Sequence, residues 1–196
     1  MEYSGIILAG GKSSRMGQDK ATLKLDGLTL VEKLAGNMQP IFKEIIVVTA
    51  APGKINLPGL TEVADTYADA GPLGGREAGL KAASCPLCMV MACDTPFVLP
   101  EDAEIVLAKA AGNLAAVPVL GCKTHGLFGA YHKDALSSLQ AFLTAGGHKV
   151  GDWLNTLNPV YLTEVDFTPA AVKRITFNIN TPKDYIKALA QNEVKK

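Results

Sequence analysis

Short apolar runs alternate with longer amphipathic segments along most of this chain. The short runs predict buried strands, because four to six consecutive apolar or β-branched residues fit a strand that is covered on both faces. The amphipathic segments predict helices, and in the first of them Leu30, Val31, Leu34 and Met38 would share one face. The predicted strands span residues 4–8, 44–49, 61–64, 87–92, 114–119, 160–163 and 174–178, with a less regular segment at 126–131. The predicted helices span residues 28–40, 73–83, 100–111, 134–145, 150–157 and 182 to about 191.

Strands that alternate with helices through short connections indicate βαβ units, and therefore a mostly parallel sheet. We expect an α/β fold of three layers, Rossmann-like, in which helices cover both faces of a mostly parallel central sheet. In such sheets ligands bind outside the carboxyl ends of the strands. The residues that follow Leu8, Thr49, Ala64 and Ala92 are therefore the first candidates for a functional site.

Composition narrows the class of protein. A chain of 196 residues that is 48% hydrophobic can build one substantial core, so we expect a single domain over residues 1–196. Lys plus Arg and Asp plus Glu both number 19, which argues against a protein that coats nucleic acid or an anionic membrane. The apolar runs are shorter than the ~20 residues that a membrane span needs, and the first residues do not resemble a signal peptide. These features predict a cytoplasmic enzyme without a nucleic-acid or membrane partner.

Four cysteines stand at positions 85, 88, 93 and 122. Cys85 and Cys88 have the spacing of half a zinc site or of a redox pair, and Cys93 and His125 could in principle complete a metal site. No second pair with ligand spacing accompanies them. We therefore favour small apolar side chains at the edge of a buried strand.

Glycines and cations follow the first predicted strand. Gly10 and Gly11 would allow backbone N–H groups to approach an anion closely. Lys12, Arg15 and Lys20 come within the next nine residues, so the loop is suited to a polyphosphate, although a flexible turn with solvated charges is the alternative. A P-loop is excluded, because its consensus requires glycine at position 6, which is isoleucine.

A single carboxylate, Asp94, follows the most apolar predicted strand, residues 87–92. A lone carboxylate suits Mg²⁺, which binds one or two carboxylates and completes its shell with water and phosphate oxygens. The alternative is an Asp that forms a turn or a helix cap before Pro96. Asp65 follows the strand at 61–64, and there a turn residue is an equally good interpretation.

The first loop resembles a known signature. Residues 8–20 resemble the L-A-G-G-x-S-x-R-M-G-x-D-K pattern of nucleotidyltransferases, which transfer a nucleoside monophosphate from an NTP. Within that superfamily the chain most resembles the molybdenum cofactor guanylyltransferases. The resemblance covers nearly the whole chain and includes Asp65, the G-P-L-G-G segment 71–75, the C-D-T-P segment 93–96 and the N-I-N-T-P segment 178–182.

The resemblance implies a fold like that of the nucleotide-diphospho-sugar transferases and a reaction between GTP and molybdopterin, with Mg²⁺ as cofactor. It divides the domain into a nucleotide-binding half, residues ~1–120, and an acceptor half, residues ~121–191. It also implies that apoproteins of molybdoenzymes and cofactor-handling proteins are partners. The implied catalytic residues are Arg15, Lys20 and Asp94, with Asp94 as the metal ligand. The implied nucleotide-binding residues are Leu8, Ala9, Gly10, Gly11, Lys20, Thr49, Asp65, Gly71, Pro72, Leu73 and Asp94, and the implied acceptor-binding residues are His125, Asn178 and Asn180.

Three places depart from the pattern of this family. Arg76-Glu77 stands where the family usually has an aliphatic residue, and Gly126 stands where proline is usual after His125. His148 and Lys149 occupy a segment that often carries arginine. For His125 a plain hydrogen-bonded histidine at a strand edge remains an alternative. For Asn178 and Asn180 the alternative is a role in turns and in helix capping.

Other functions share these motifs. A cytidylyltransferase, or a transferase that acts on a sugar or polyol phosphate, would have a similar first loop. A non-catalytic carrier of nucleotide or molybdopterin would not need both Lys20 and Asp94, and both are present. A purely structural domain would not be expected to gather Arg15, Lys20, Asp65 and Asp94 at strand ends.

Overall fold

The structure is a computed structural model of the chain, and it describes residues 1–10, 23–50, 53, 55, 57–67 and 70–193. The strands are β1 (Tyr3–Leu8), β2 (Lys24–Leu25), β3 (Leu28–Thr29), β4 (Glu44–Thr49), β5 (Thr61–Ala64), β6 (Leu87–Ala92), β7 (Ala115–Leu120), β8 (Lys123–Thr124), β9 (Phe128–His132) and β10 (Val160–Leu162). The α-helices are α1 (Leu30–Met38), α2 (Pro72–Ala82), α3 (Pro100–Ala110), α4 (Ala135–Thr144), α5 (Val150–Leu157), α6 (Pro169–Thr176) and α7 (Pro182–Glu193).

One central sheet organises the molecule. Its strands lie in the order β10-β7-β9-β6-β1-β4-β5, and β8 pairs with β7 outside this path. Strands β5, β4, β1 and β6 are mutually parallel, whereas β9 runs antiparallel between β6 and β7. The expectation of a mostly parallel α/β sheet is confirmed.

Helices cover both faces of this sheet, as the apolar runs predicted. In β1 the Ile7 side chain packs into the core layer of α1, α3 and α6, while Ile6 and Leu8 pack into that of α2, α4 and α5. The same alternation in β4 explains why these strands have no polar face. The only tryptophan, Trp153, is fully buried in the second layer.

Element boundaries follow local capping chemistry. The first helix begins at Leu30 rather than at residue 28, because Thr29 caps it in a reciprocal box: the Thr29 Oγ1 accepts from Glu32 N (3.2 Å), and Thr29 N donates to Glu32 Oε2 (2.6 Å). Leu28 and Thr29 instead pair with Lys24 and Leu25 in a short hairpin.

The prediction of a strand over residues 174–178 is wrong. Residues Pro169–Thr176 form α6, with Thr168 as N-cap and Pro169 in the first turn. The β-branched and aromatic side chains of Ile175, Thr176 and Phe177 suggested a strand. Ile175 is instead, with Ala171, one of the two buried positions of this helix, and Arg174 pairs with the buried Asp102 of α3 through two contacts of 2.7 and 2.5 Å.

Candidate active site

The carboxyl ends of the four parallel strands converge on one edge of the sheet. Hydrogen bonds continue the ladder beyond the strands: Ala9 N donates to Val48 O (2.8 Å), Asp65 N to Thr49 O (2.8 Å) and Cys93 N to Leu8 O (3.1 Å). The first residues after β1, β5 and β6 are therefore each bonded to a neighbouring strand at this edge. This is the edge where an open α/β sheet binds its ligands.

The start of the first loop lies close to the end of β4. A Cβ atom on Gly10 would lie 3.4 Å from Ala50 N, so the two backbones approach each other closely at this edge. Leu8 and Ala9 are buried beneath this point, and Gly10 is exposed. The predicted phosphate-contacting residues Gly11, Lys12, Arg15 and Lys20 lie outside the described residues.

The G-P-L-G-G segment opens helix α2, which the sequence pattern predicted over residues 73–83. Gly71 precedes the helix with φ +58°, a backbone conformation that glycine adopts readily, and Pro72 occupies the first turn. Gly74 then allows a side chain to approach: a Cβ atom there would lie 2.5 Å from Asp65 Oδ1 and 2.8 Å from Tyr67 O. The Asp65 carboxylate thus lies directly against the first turn of α2.

The surroundings of the Asp65 carboxyl group disfavour a negative charge. Its Oδ1 accepts a hydrogen bond from Tyr67 N (2.9 Å), which favours the ionised form. Burial outweighs this bond, and the nearby Glu77 carboxylate acts in the same direction as burial, so the pKa of Asp65 is raised above its ordinary value. A carboxylate held at a site that disfavours it is characteristic of a functional residue.

Asp94 lies in the turn that follows β6 and is partly buried. Thr95 closes this turn, since its hydroxyl donates to Ala92 O (2.8 Å). The backbone oxygen of Asp94 accepts from Ile179 N (2.9 Å), which brings the N-I-N segment against the same edge. The structure thus places Asp94 next to two of the three predicted acceptor-binding residues.

The side chains at this edge suit a hard cation whose oxygen ligands come mostly from water and phosphate. Among the described residues, no group of three or more His, Cys, Asp or Glu side chains is placed to hold a metal ion. Asp94 offers the single carboxylate that Mg²⁺ requires when phosphate oxygens and water supply the remaining ligands. The residues present therefore fit such an ion.

The predicted acceptor residues have structural partners of their own. The Nε2 of His125 lies 3.4 Å from Leu120 O, and burial lowers the pKa of this half-buried imidazole. Asn178 Nδ2 donates to Thr176 O (3.1 Å). The cap of α7 is made by Thr181, whose Oγ1 accepts from Asp184 N (3.2 Å), so capping does not require the Asn178 or Asn180 side chain.

One carboxylate at this edge was not anticipated from the sequence. Glu62, in the edge strand β5, accepts from Thr49 Oγ1 (2.8 Å) and from Gly53 N (2.9 Å). It therefore orients Thr49, a predicted nucleotide-binding residue, and holds the backbone of Gly53. The only sequence signal was a charged residue within a short, otherwise weakly polar strand.

Three of the four cysteines behave as small core side chains, whereas Cys122 is exposed. Cys85, Cys88 and Cys93 are buried, with 3%, 0% and 6% of their surface exposed. Burial raises the pKa of the Cys88 thiol to about 12, so it stays protonated. The interpretation as buried apolar residues agrees with these positions.

Comparison with known proteins identifies the family. A family model described as the MobA-like NTP transferase domain matches residues 5–160. The chain belongs to this family. A "probable molybdenum cofactor guanylyltransferase" of Pelotomaculum thermopropionicum is 34% identical over 194 residues, which cover 98% of this chain and 95% of the relative. The chain is thus a nucleotidyltransferase over nearly its full length.

Solved structures agree with this assignment. The molybdopterin-guanine dinucleotide biosynthesis protein A of Archaeoglobus fulgidus superposes with a TM-score of 0.83 at 25% identity, and the match covers 97% of this chain and 99% of that one. The 2-C-methyl-D-erythritol 4-phosphate cytidylyltransferase of Thermus thermophilus superposes with a TM-score of 0.72 at 22% identity, covering 98% and 100% of the two chains, and shows the shared fold. Among the described helices of this protein, none is long and apolar enough to cross a membrane.

Proposed function

We propose that this protein transfers GMP from GTP to the phosphate of molybdopterin, or of its molybdenum-bearing form, and releases pyrophosphate. The observation that carries the proposal is the full-length similarity to a relative named as a guanylyltransferase of this cofactor. The nucleotide-binding half would be residues ~1–120 and the acceptor half residues ~121–191. Because the reaction consumes GTP, we place it in the cytoplasm. Contact with cofactor-handling proteins and molybdoenzyme apoproteins stays a prediction.

The chemistry is an in-line displacement at the α-phosphorus of GTP. An oxygen of the acceptor phosphate forms a bond to this phosphorus, and the bond to the bridging oxygen between the α- and β-phosphates breaks, so that pyrophosphate leaves with that electron pair. The acceptor is already an anion and needs little help from a general base. The protein therefore contributes mainly alignment and neutralisation of charge.

Different residues are assigned to the alignment of the substrates and to the neutralisation of charge. Gly10 and Gly11 would offer backbone N–H groups to the phosphates, and Arg15 and Lys20 would stabilise charge on the α-phosphoryl group and the departing pyrophosphate. Asp94 would hold Mg²⁺, which supplies neutralisation of phosphate charge when bound. His125, Asn178 and Asn180 would bind the acceptor.

Asp65 is assigned to the guanine base. A carboxylate can accept two N–H donors, and the guanine edge presents them at N1 and N2. Its position supports this role, because the carboxylate is held at the N-terminal turn of α2, next to Gly71–Gly75 and the predicted nucleoside site.

Replacing Asp65 with Asn is expected to raise the stability of the fold while it weakens GTP binding. The raised pKa means that the folded protein holds a proton on Asp65 more tightly than the unfolded chain does. The ionised carboxylate therefore lowers stability above the folded pKa, and this effect disappears below the unfolded pKa, about 3.9. Asp65→Asn should have a higher Tm than wild type at pH 7, with a difference that shrinks as the pH falls towards 4. Its KM for GTP should rise about 10-fold or more, because the amide directs an N–H at the guanine N–H donors.

Thermal melts from pH 4 to 8 and GTP saturation curves measure both effects. A variant with wild-type KM for GTP would remove Asp65 from base recognition. A lower Tm at pH 7 would show that the carboxylate stabilises the fold.

Pyrophosphate release tests the donor and the acceptor together. The protein is incubated with Mg²⁺ and GTP, CTP, ATP or UTP, each with and without molybdopterin. Release that requires both GTP and molybdopterin supports the proposal. Release with CTP would assign a cytidylyltransferase and remove the role given to Asp65, and GTP binding without release would favour a carrier.

A further inference from the structure

Arg76 is a fully buried cation in the second turn of α2, on the side of the sheet that carries α4 and α5. Its Nη2 donates to Gly126 O (2.6 Å). The guanidinium carbon lies 4.5 Å from the centre of the Tyr131 ring and 5.1 Å from that of Trp153. One side chain thus connects α2, the segment before β9 and α5.

This arrangement does not favour stability. Among the described residues no carboxylate pairs with Arg76, and its Nε and Nη1 have no hydrogen-bond partner there. Burial lowers the pKa of Arg76, since the charged form is poorly solvated. Two aromatic faces offset only part of the loss of hydration. An unbranched apolar residue would fill this space without that penalty, so folding alone does not explain an arginine here.

The carbonyl that Arg76 holds belongs to a tightly anchored segment. Gly126 O also accepts from Tyr131 OH (2.7 Å). The neighbouring residues are fixed by His125 N donating to Pro118 O (2.8 Å) and by Ala92 N donating to Leu127 O (3.0 Å). Ala92 is the last residue of β6, two positions before Asp94. A displacement of residues 125–127 would therefore also shift the end of β6 and the turn that holds Asp94.

The segment also contacts the start of α5. A Cβ atom on Gly126 would lie 2.7 Å from Val150 Cγ1 and 3.3 Å from Leu154 Cδ1, so the helix lies directly on the glycine. The exposed His148 and Lys149 immediately precede this helix. Arg76 thus links α2 to the segment around His125 and, through Gly126, to the start of α5, which His148 and Lys149 precede.

We propose that Arg76 is a positioning residue for the acceptor: through the Gly126 carbonyl it fixes residues 125–128 beside Asp94 and so sets the affinity for the anionic acceptor phosphate. Arg76 touches neither substrate. The inference rests on the proposed function, since the acceptor is the one named there.

The kinetic test compares Arg76→Met with Arg76→Lys and with a control on the opposite face of the sheet. Arg174→Met removes a second arginine, which is partly buried and paired with Asp102. For Arg76→Met we expect an unchanged or higher Tm, a KM for molybdopterin raised about 10-fold and a KM for GTP within about 2-fold of wild type. Arg76→Lys should recover most of the acceptor affinity, because an ammonium can still donate to Gly126 O. Arg174→Met should show the reverse, a lower Tm with unchanged KM values.

Amide hydrogen exchange tests the positioning without any substrate. Arg76→Met should accelerate exchange at the amides of Ala92 and Phe128, which bond to Leu127 O and His125 O, by about 10-fold relative to that of Val172 in α6. Tyr131→Phe, which removes the other bond to the same carbonyl, should change both amides in the same direction.

Three results would overturn the inference. They are loss of folding in Arg76→Met, unaltered exchange at both amides, and a KM for GTP that rises as much as that for the acceptor. A wild-type protein that forms no dinucleotide would refute the proposed function instead, and the exchange experiment would still decide whether Arg76 positions the segment.

Discussion

Asp94→Asn is expected to lower kcat about 10³-fold while the protein stays folded. The substitution keeps the size of the side chain and the backbone bond from Ile179 N to Asp94 O, so the turn after β6 is preserved. It removes the carboxylate proposed to hold Mg²⁺, and with it the charge neutralisation on which phosphoryl transfer depends. Steady-state kinetics over a range of Mg²⁺ concentrations, with thermal melts alongside, measure both properties.

A surface carboxylate provides the matched control. Glu104 is exposed in the second turn of α3 and is not among the proposed site residues, so Glu104→Gln should keep wild-type kcat with the same change of charge. Asp94→Ala should be at least as inactive as Asp94→Asn. Lys20→Ala should be similarly inactive, because Lys20 is expected to stabilise charge on the α-phosphoryl group. Full Mg²⁺-dependent activity of Asp94→Asn would show that the metal assignment is wrong.

Gly74→Ala should raise the KM for GTP by about 100-fold and destabilise the protein by about 1–3 kcal/mol. In most helix interiors this exchange stabilises by up to about 1 kcal/mol. Here the added methyl group would lie 2.5 Å from Asp65 Oδ1 and 2.8 Å from Tyr67 O, so the segment after β5 must move away from α2. The displaced group is the one proposed to recognise guanine. Denaturant unfolding and GTP saturation kinetics check the two effects.

Substitutions at two other helical glycines separate the effect on stability from the effect on GTP binding. In α1, a Cβ atom on Gly36 would have no described atom from beyond its own helix within 4 Å, so Gly36→Ala should stabilise by about 0.5–1 kcal/mol with wild-type kinetics. Gly79, further along α2, would place its methyl group 2.5 Å from Ile6 Cγ2 in the core. Gly79→Ala should therefore lose stability but keep the KM for GTP. If Gly74→Ala lost stability with an unchanged KM for GTP, Asp65 would not contribute to nucleotide binding.

The buried strands were the most predictable part of the fold. The boundaries of β4, β5 and β6 agree with the continuous apolar or β-branched runs at residues 44–49, 61–64 and 87–92. A strand that is buried on both faces appears in the sequence as a continuous apolar run, without alternating polar residues. Turn-forming residues after the run mark where the strand ends. Short connections between such strands then made a mostly parallel sheet the natural expectation.

Prediction failed where local composition and tertiary packing disagreed. Ile175, Thr176 and Phe177 have strand-forming side chains, but the cap at Thr168 and the proline after it begin a helix that packs into the same core layer as α3. The hairpin β2–β3 was missed because strands of two residues carry too few positions to show alternation.

For the site, sequence patterns identify residues at strand ends but not their mutual contacts. The positions after β5 and β6 pointed to Asp65 and Asp94 because parallel strands end at a common edge. The contact between Asp65 and Gly74 joins residues from two elements, and nothing in either segment alone reveals it. Arg76 stood out only as a charged residue where an aliphatic one is usual. Its burial between Tyr131 and Trp153 depends on packing that the sequence does not display.

The most direct test of the proposed reaction follows two labels in GTP. The protein is incubated with Mg²⁺, molybdopterin and GTP that carries a labelled phosphorus at either the α or the γ position, and the products are separated. Guanylyl transfer predicts that the α label enters a molybdopterin dinucleotide while the γ label leaves in pyrophosphate. Transfer of the γ label to the acceptor, or its release as inorganic phosphate with GDP, would contradict the account.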